Sequence, residues 1–297
     1  MSEPETNDSL AASLKRGRRA AERTILDAIR DGQSWKEETV TDNLTRAIPP
    51  FMKYTTFNRH EESRVGADWM WWWVDEAGEA FGMLLQAKRP DSSRTSNTYD
   101  IGAKGGQQID ALLTTARQFG LAPGYALYAE PDPEPPEGDP RTVSLLPGVV
   151  ALWLMHDGRT AEELRAEGVP LEHLGNPAPR VEVLAPILKA ITDAELLAFL
   201  DQPQVGARRV AKHLLANVAE HRMRLYDLAT AQHAQIDTQA VFANLPADRG
   251  HSGEPYFEHI LRGLRKSVPA YVLDVLADEE VDAELGRLFA GIAVVRC

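Results

Sequence analysis

The stretch Gly66-Ala-Asp-Trp-Met-Trp-Trp-Trp-Val-Asp-Glu-Ala-Gly-Glu-Ala-Phe-Gly-Met-Leu-Leu-Gln-Ala-Lys88 constrains the fold more than any other part of this chain. Two apolar runs flank Glu76-Ala77-Gly78, which reads as a three-residue hairpin loop with glycine in the left-handed position. Register then follows by symmetry about Ala77. Trp69 faces Leu85, Trp71 faces Met83 and Trp73 faces Phe81 on one side of the sheet. On the other side Met70 faces Leu84, and Trp72 faces Gly82, a large side chain against an absent one. The same alternation sets Asp68 opposite Gln86, with Lys88 two residues further on the same face.

Three polar groups therefore meet at one end of an apolar hairpin. Half-buried charge is costly without a partner. A carboxylate, an amide oxygen and an ammonium together suit a divalent cation and a water. Asp68 and the Gln86 carbonyl are hard oxygen ligands of the kind magnesium accepts, and Lys88 can orient or deprotonate the water or steady a phosphate. The plainer alternative is a solvated salt bridge, since an aspartate opening a strand and a lysine closing one usually form that.

Around this hairpin the periodicity predicts an α/β architecture, a mixed central sheet flanked by helices with a mainly helical C-terminal region. Residues 8–31 form a helical arm: Leu10, Leu14, Ala21, Ile25 and Ile29 recur at helical spacing. A second helix starts at Ser34, which makes a capping-box pattern with Glu37, and stops at Pro49-Pro50. Strands follow at 51–58, 68–75 and 80–88, then a helix at about 105–119 and a strand through Gly124-Tyr-Ala-Leu-Tyr-Ala129. The 35-residue spacing from the third strand to this one, through a helix, marks a crossover unit. The proline-rich acidic loop Pro131 to Pro140 is the clearest internal boundary. Beyond it, 148–155 reads as a strand, 206–232 and 254–266 as helices, and 268–277 and 291–296 as short strands. The division is an arm at 1–33, a core at 34–155, and a region at 156–297 that packs on the core or returns a strand or two to it.

Composition narrows the function only a little. No apolar run approaches the roughly 20 residues that span a bilayer, so no membrane partner is expected. The acidic, polar N-terminus has no signal-like stretch. The one cysteine, Cys297, permits no internal disulfide, which fits a reducing cytoplasm. A net charge of −12 argues against coating nucleic acid by bulk attraction, while leaving local phosphate contacts open. Two basic strips, Lys15 to Arg19 with Arg23 and Arg208, Arg209 and Lys212, read first as solvated helix faces. His213 and His221, like His251 and His259, are spaced eight apart without cysteine partners, which makes them poor zinc candidates.

The order helix, strand, Gly-Ala-Asp68, hairpin, Gln86-Ala-Lys88, helix, strand resembles the PD-(D/E)XK nuclease superfamily. Its Gln-x-Lys form is similar to the Mrr-type restriction endonucleases. The pairing of Gly-Ala-Asp-Trp with Gln-Ala-Lys-Arg also resembles a bacterial domain family of unknown function usually placed in that superfamily. The resemblance covers about residues 34–130. It implies a restriction-endonuclease-like core in which Asp68 and Gln86 bind Mg2+ or Mn2+ with the backbone carbonyl of Ala87, and in which Lys88 is catalytic. It further implies a glutamate from the preceding helix. Glu37 shares the inward face of Val40 and Leu44, Glu38 is kept because a helix start can shift, and Glu62 in the following loop is a third candidate.

Such nucleases often direct a polar residue of the helix after the third strand to the site, here Gln107 or Gln108. Arg89 and Lys104 stand near the same end as phosphate contacts. The implied activity is metal-dependent endonuclease cleavage of a phosphodiester, in DNA before RNA, in defence against foreign DNA, with a homodimer left open. At Gln86 the sequence departs from the commoner carboxylate, which removes one negative charge. The alternative is therefore a catalytically weakened module of the same fold that binds nucleic acid or a partner protein.

Overall fold

The computed structural model of the protein describes residues 9–57, 65–91, 97–131, 138–155, 158–179, 199, 205–232 and 257–297, without the side chains of residues 103, 104 and 222–232. It opens with two helices, α1 (Leu10–Arg30) and α2 (Glu37–Arg46). The side chain of Ser9 accepts a hydrogen bond from the Ala12 amide and caps α1. The Ser34 capping box is not formed: the N-cap of α2 is Lys36, without a side-chain bond, so Glu37 is the first helical residue.

The central sheet is built from β1 (Met52–Thr56), β2 (Trp69–Val74), β3 (Ala80–Lys88), β4 (Ala122–Tyr128), β5 (Val143–Pro147), β6 (Val169–Pro170), β7 (Leu264–Arg265) and β8 (Gly291–Arg296). Its main path runs β1-β8-β2-β3-β4-β5-β6, with the short β7 pairing at the start of β3. The β8/β2 and β3/β4 pairs are parallel and the others on the path antiparallel, which makes the sheet mixed. Helices flank it, as the periodicity predicts. Helix α3 (Gln107–Phe119) makes the crossover from β3 to β4.

The hairpin register is the predicted one, Trp69 to Leu85, Trp71 to Met83, Trp72 to Gly82 and Trp73 to Phe81. Its loop closes through the Asp75 amide to the Glu79 carbonyl, 3.1 Å, and Gly78 has φ +79°, a left-handed value that glycine adopts without penalty. All six residues of β2 are buried, with β8 and β3 paired along its two edges inside the sheet. Strand alternation separates the faces. Tyr271, on the helix α7 defined below, meets Trp72 edge-on at 6.0 Å, while on the opposite face the Tyr128 hydroxyl pairs with Thr41 of α2 at 2.7 Å.

Three readings change. Residues 148–155 are not a strand: β5 ends at Pro147 and α4 (Gly148–Leu154) follows. Residues 268–277 are not a strand either, since Pro269 is the N-cap of a helix, Ala270–Ala277. With α5 (Ala161–Ala166) and α6 (Gly206–Gln232) before it, this helix is α7. The helix expected over 254–266 is confined, among the described residues, to Glu258–Leu261 and gives way to β7. The strand at 291–296 is present and lies in the interior of the sheet, between β1 and β2.

One continuous apolar core joins these parts. Leu14 and Ile25 of α1, the hairpin tryptophans, Val210 and Leu214 of α6, and Ile292 and Val294 of β8 all belong to it. The basic strip of α1 contributes structurally as well. Arg18, 1% exposed, donates to Glu172 Oε2 at 2.7 Å and pairs with Glu22, so both acids offset its buried charge.

Candidate functional site

The site forms where β2 begins and β3 ends. The Asp68 amide donates to the Leu85 carbonyl, continuing the ladder one residue beyond β2, and brings the carboxylate beside the end of β3. There Asp68 Oδ2 accepts from Gln86 Nε2 at 2.7 Å and from the Ala87 amide at 2.8 Å. Gln86 Nε2 also lies 3.2 Å from the Ala87 carbonyl oxygen. Asp68 is 7% exposed and Gln86 2%, so solvated surface charge does not describe this pair.

A further partner comes from α3. Lys88 Nζ donates to Gln108 Oε1 at 2.6 Å, and Gln108 Nε2 donates to Gln86 Oε1 at 3.2 Å. The four side chains therefore form one hydrogen-bonded chain, ammonium to amide to amide to carboxylate. Each amide accepts on the side of the positive end and donates towards the negative end. Such alignment strengthens every link in a low-dielectric setting.

Gly66 makes this approach geometrically feasible. A Cβ built there would stand 2.5 Å from both the Gln108 carbonyl oxygen and the Leu112 amide nitrogen, and its φ is +67°. The absent side chain lets the α3 backbone lie against the turn that leads into Asp68. The sequence signal was present in Gly66-Ala-Asp68, but a helix contact with this glycine has no local signature.

The other candidates separate. Gln107 is exposed in the first turn of α3, whereas Gln108 belongs to the network. Glu37 is half-buried with Oε2 3.8 Å from Arg89 Nε, and Glu38 is exposed; neither hydrogen-bonds to the Asp68 network. The Arg89 guanidinium carbon also stands 5.7 Å from the centre of the Trp35 ring. Glu62 and the side chain of Lys104 lie outside the described residues, as does His251. Two of the other histidines make protein contacts: His213 Nε2 is 3.2 Å from the Asn176 carbonyl oxygen and His221 Nε2 is 2.8 Å from Glu167 Oε2.

Tyr125 went unremarked in the sequence beyond its place in a buried strand. It is the register partner of Gln86 on β4, and its buried hydroxyl has no hydrogen-bond partner among the described residues. Burial first, then the carboxylates of Asp110 and Asp100, push its pKa well above the ordinary tyrosine value, so it remains a neutral donor beside the network.

Among the described residues, no group of three or more His, Cys, Asp and Glu side chains could hold a metal ion. The oxygens gathered here instead come from one carboxylate, one side-chain amide and one backbone carbonyl. Gln86 Nε2 occupies a point that both Asp68 Oδ2 and the Ala87 oxygen face. Turning that amide over brings Oε1 towards the same point, and the two amide ends have nearly the same shape. In donor type, the residues fit a hard divalent cation such as Mg2+ or Mn2+.

Fold and site together define a mixed α/β protein whose central hairpin ends in a buried carboxylate–amide–amide–ammonium chain. Within that class, the chain belongs to DUF6615, a family of unknown function that matches residues 8–296. No curated protein and no solved structure shows a significant match to it.

Proposed function

We propose that this protein is a metal-dependent nuclease that hydrolyses phosphodiester bonds in nucleic acid, DNA in preference to RNA. The observation that carries the reading is the unbroken chain from Lys88 through Gln108 and Gln86 to Asp68. In this reading Asp68, Gln86 and the Ala87 carbonyl hold the cation. The cation, Mg2+ or Mn2+, supplies Lewis-acid charge and acidifies a bound water. Gln108 fixes the Lys88 ammonium, which steadies the phosphate or handles the proton of the attacking water. Arg89 and the exposed Gln107 offer contacts to flanking phosphates. A role in defence against foreign DNA rests on the resemblance to restriction enzymes alone.

A second reading has its own observation. Gln86 already donates to Asp68 without a cation, and among the described residues the network carries one carboxylate. A module of the same fold that binds nucleic acid or a partner protein needs no more than this.

Nicking of supercoiled plasmid in Mg2+ or Mn2+ separates the two. A nuclease cuts, and Lys88→Ala and Asp68→Ala each slow the cut by about 100-fold or more. Absence of cleavage by the native protein, with DNA binding retained in both variants, selects the binding module instead.

A further inference from the structure

A cavity of about 360 Å³ opens beside the N-terminal end of α3, within the size range of small-molecule sites. It is close to the network: Gly106 lines it, and Gln108, two residues on, spans no more than about 7 Å from there. Ile101, Leu154 and Leu164 give it an apolar side, and Ile101 and Leu164 are themselves buried.

The polar side is differently disposed. The Thr98 hydroxyl donates to the Arg159 carbonyl at 3.0 Å, and the Arg159 guanidinium is paired with Glu167 at 2.7 Å. Asp100 also lines the cavity, and its carboxylate makes no hydrogen bond or ion pair with the described residues. The cavity thus joins an apolar side to the Asp100 carboxylate, which can only accept.

We propose that this cavity takes a guanine base. Of the four DNA bases, only guanine presents two adjacent donors, the ring N–H and the exocyclic amine, to a single carboxylate. Adenine and cytosine offer one amine beside an acceptor, and thymine one N–H between two acceptors. The placement next to Gln108 makes it the subsite for a nucleotide flanking the cleaved phosphate; that placement, though not the base preference, rests on the nuclease reading.

Gly102 offers a place to crowd the cavity wall. It lines the space, its φ is −81°, and a Cβ there meets nothing within 4 Å. Gly102→Phe adds a bulky group at the cavity wall without backbone strain, and Asp100→Asn removes the paired acceptor while keeping the shape. The experiment is saturation-transfer NMR of the full chain with the four deoxynucleoside monophosphates, with plasmid nicking measured in parallel.

The expected result is that the guanine nucleotide binds at least about fivefold more tightly than the other three, since one bidentate pair discriminates by about 1–3 kcal/mol. Asp100→Asn abolishes that preference and Gly102→Phe abolishes binding. Equal binding of all four nucleotides, no binding, or guanine binding unchanged in Asp100→Asn overturns the proposal, and the last does so even where Gly102→Phe fails to fold. Guanine binding without nicking removes the nuclease reading and keeps the pocket. Nicking without guanine binding does the reverse.

Discussion

At the scale of single residues, the arrangement of the two glutamines is the most consequential feature. If a cation takes the point now held by Gln86 Nε2, the Gln86 amide turns over. Gln108 Nε2 then loses its acceptor, and the contact to Lys88 is disturbed in turn. In the nuclease reading proposed above, Gln108 is thus a positioning residue that couples the metal end to the lysine end. Gln108→Leu is expected to raise Mn2+ affinity, because the bond that the cation must break is already gone, and to lower the nicking rate by about 10- to 100-fold, because Lys88 loses its acceptor. Calorimetric titration with Mn2+ checks the first effect independently of activity; unchanged affinity and rate would remove the coupling.

A second residue-scale expectation concerns pH. Burial, opposed by the bond to the Asn176 carbonyl, lowers the pKa of His213 below its ordinary value. The folded state therefore keeps His213 neutral while the unfolded chain still takes up a proton. Its contribution to stability is undiminished above the unfolded pKa of about 6.5. It falls as pH drops from there towards the folded pKa, and levels off below it. Urea unfolding should show the native protein losing more stability between about pH 7 and pH 5 than His213→Gln, which retains a donor but does not titrate. Parallel losses in the two proteins would assign the effect elsewhere.

Elements carry the positional information, and two glycines separate packing from placement. At Gly82 an added Cβ meets side chains, Leu121 Cδ2 at 2.5 Å and Trp72 ring atoms at 2.7 Å. At Gly66 it meets the α3 backbone itself. Both Gly82→Ala and Gly66→Ala are expected to cost about 1–3 kcal/mol by overpacking. Only Gly66→Ala displaces α3, and with it Gln108 and the turn leading into Asp68, so it alone should alter Mn2+ affinity at temperatures where both variants remain folded. An equal effect on metal affinity would show that Gly66 has no placing role.

These elements also mark what the sequence could disclose. The hairpin was legible to the residue because the Ala77-centred loop and the alternation of tryptophans admit one register. Asp68 and Gln86 followed from that register. The choice of Gln108 over Gln107 did not, because it depends on how α3 sits against Gly66. The misread segments, 148–155 and 268–277, are short apolar runs whose periodicity fits strand and helix equally. At the first, β5 already pairs with both β4 and β6 and ends at Pro147; at the second, Pro269 at the N-cap starts a helix.

For the whole molecule, sequence distance and spatial order diverge. The strand nearest the C-terminus, β8, is inserted between β1 and β2, pairing parallel to the very strand whose start carries Asp68. The Ala290 amide donates to the Asp68 carbonyl at 2.7 Å, so the last strand also fixes the backbone of the site. No local pattern could reveal this, since parallel pairing across more than two hundred residues leaves no periodic trace. A chain ending at Ala290 would leave β1 and β2 without their shared neighbour and expose Ile292's and Val294's buried contacts. It is expected to lose cooperative unfolding by calorimetry; a sharp transition close to that of the full chain would mean that β8 is dispensable. The same dependence joins the arm, the hairpin and the C-terminal region into one core.

The most direct measurement is anomalous diffraction from crystals soaked in Mn2+. The proposed chemistry requires a manganese peak coordinated by Asp68, the Gln86 side-chain oxygen and the Ala87 carbonyl, with the Gln86 amide turned from its present bond to Asp68, and loss of that peak in Asp68→Asn. A fully soaked crystal with no peak at the end of the hairpin, and Gln86 still donating to Asp68, would contradict it.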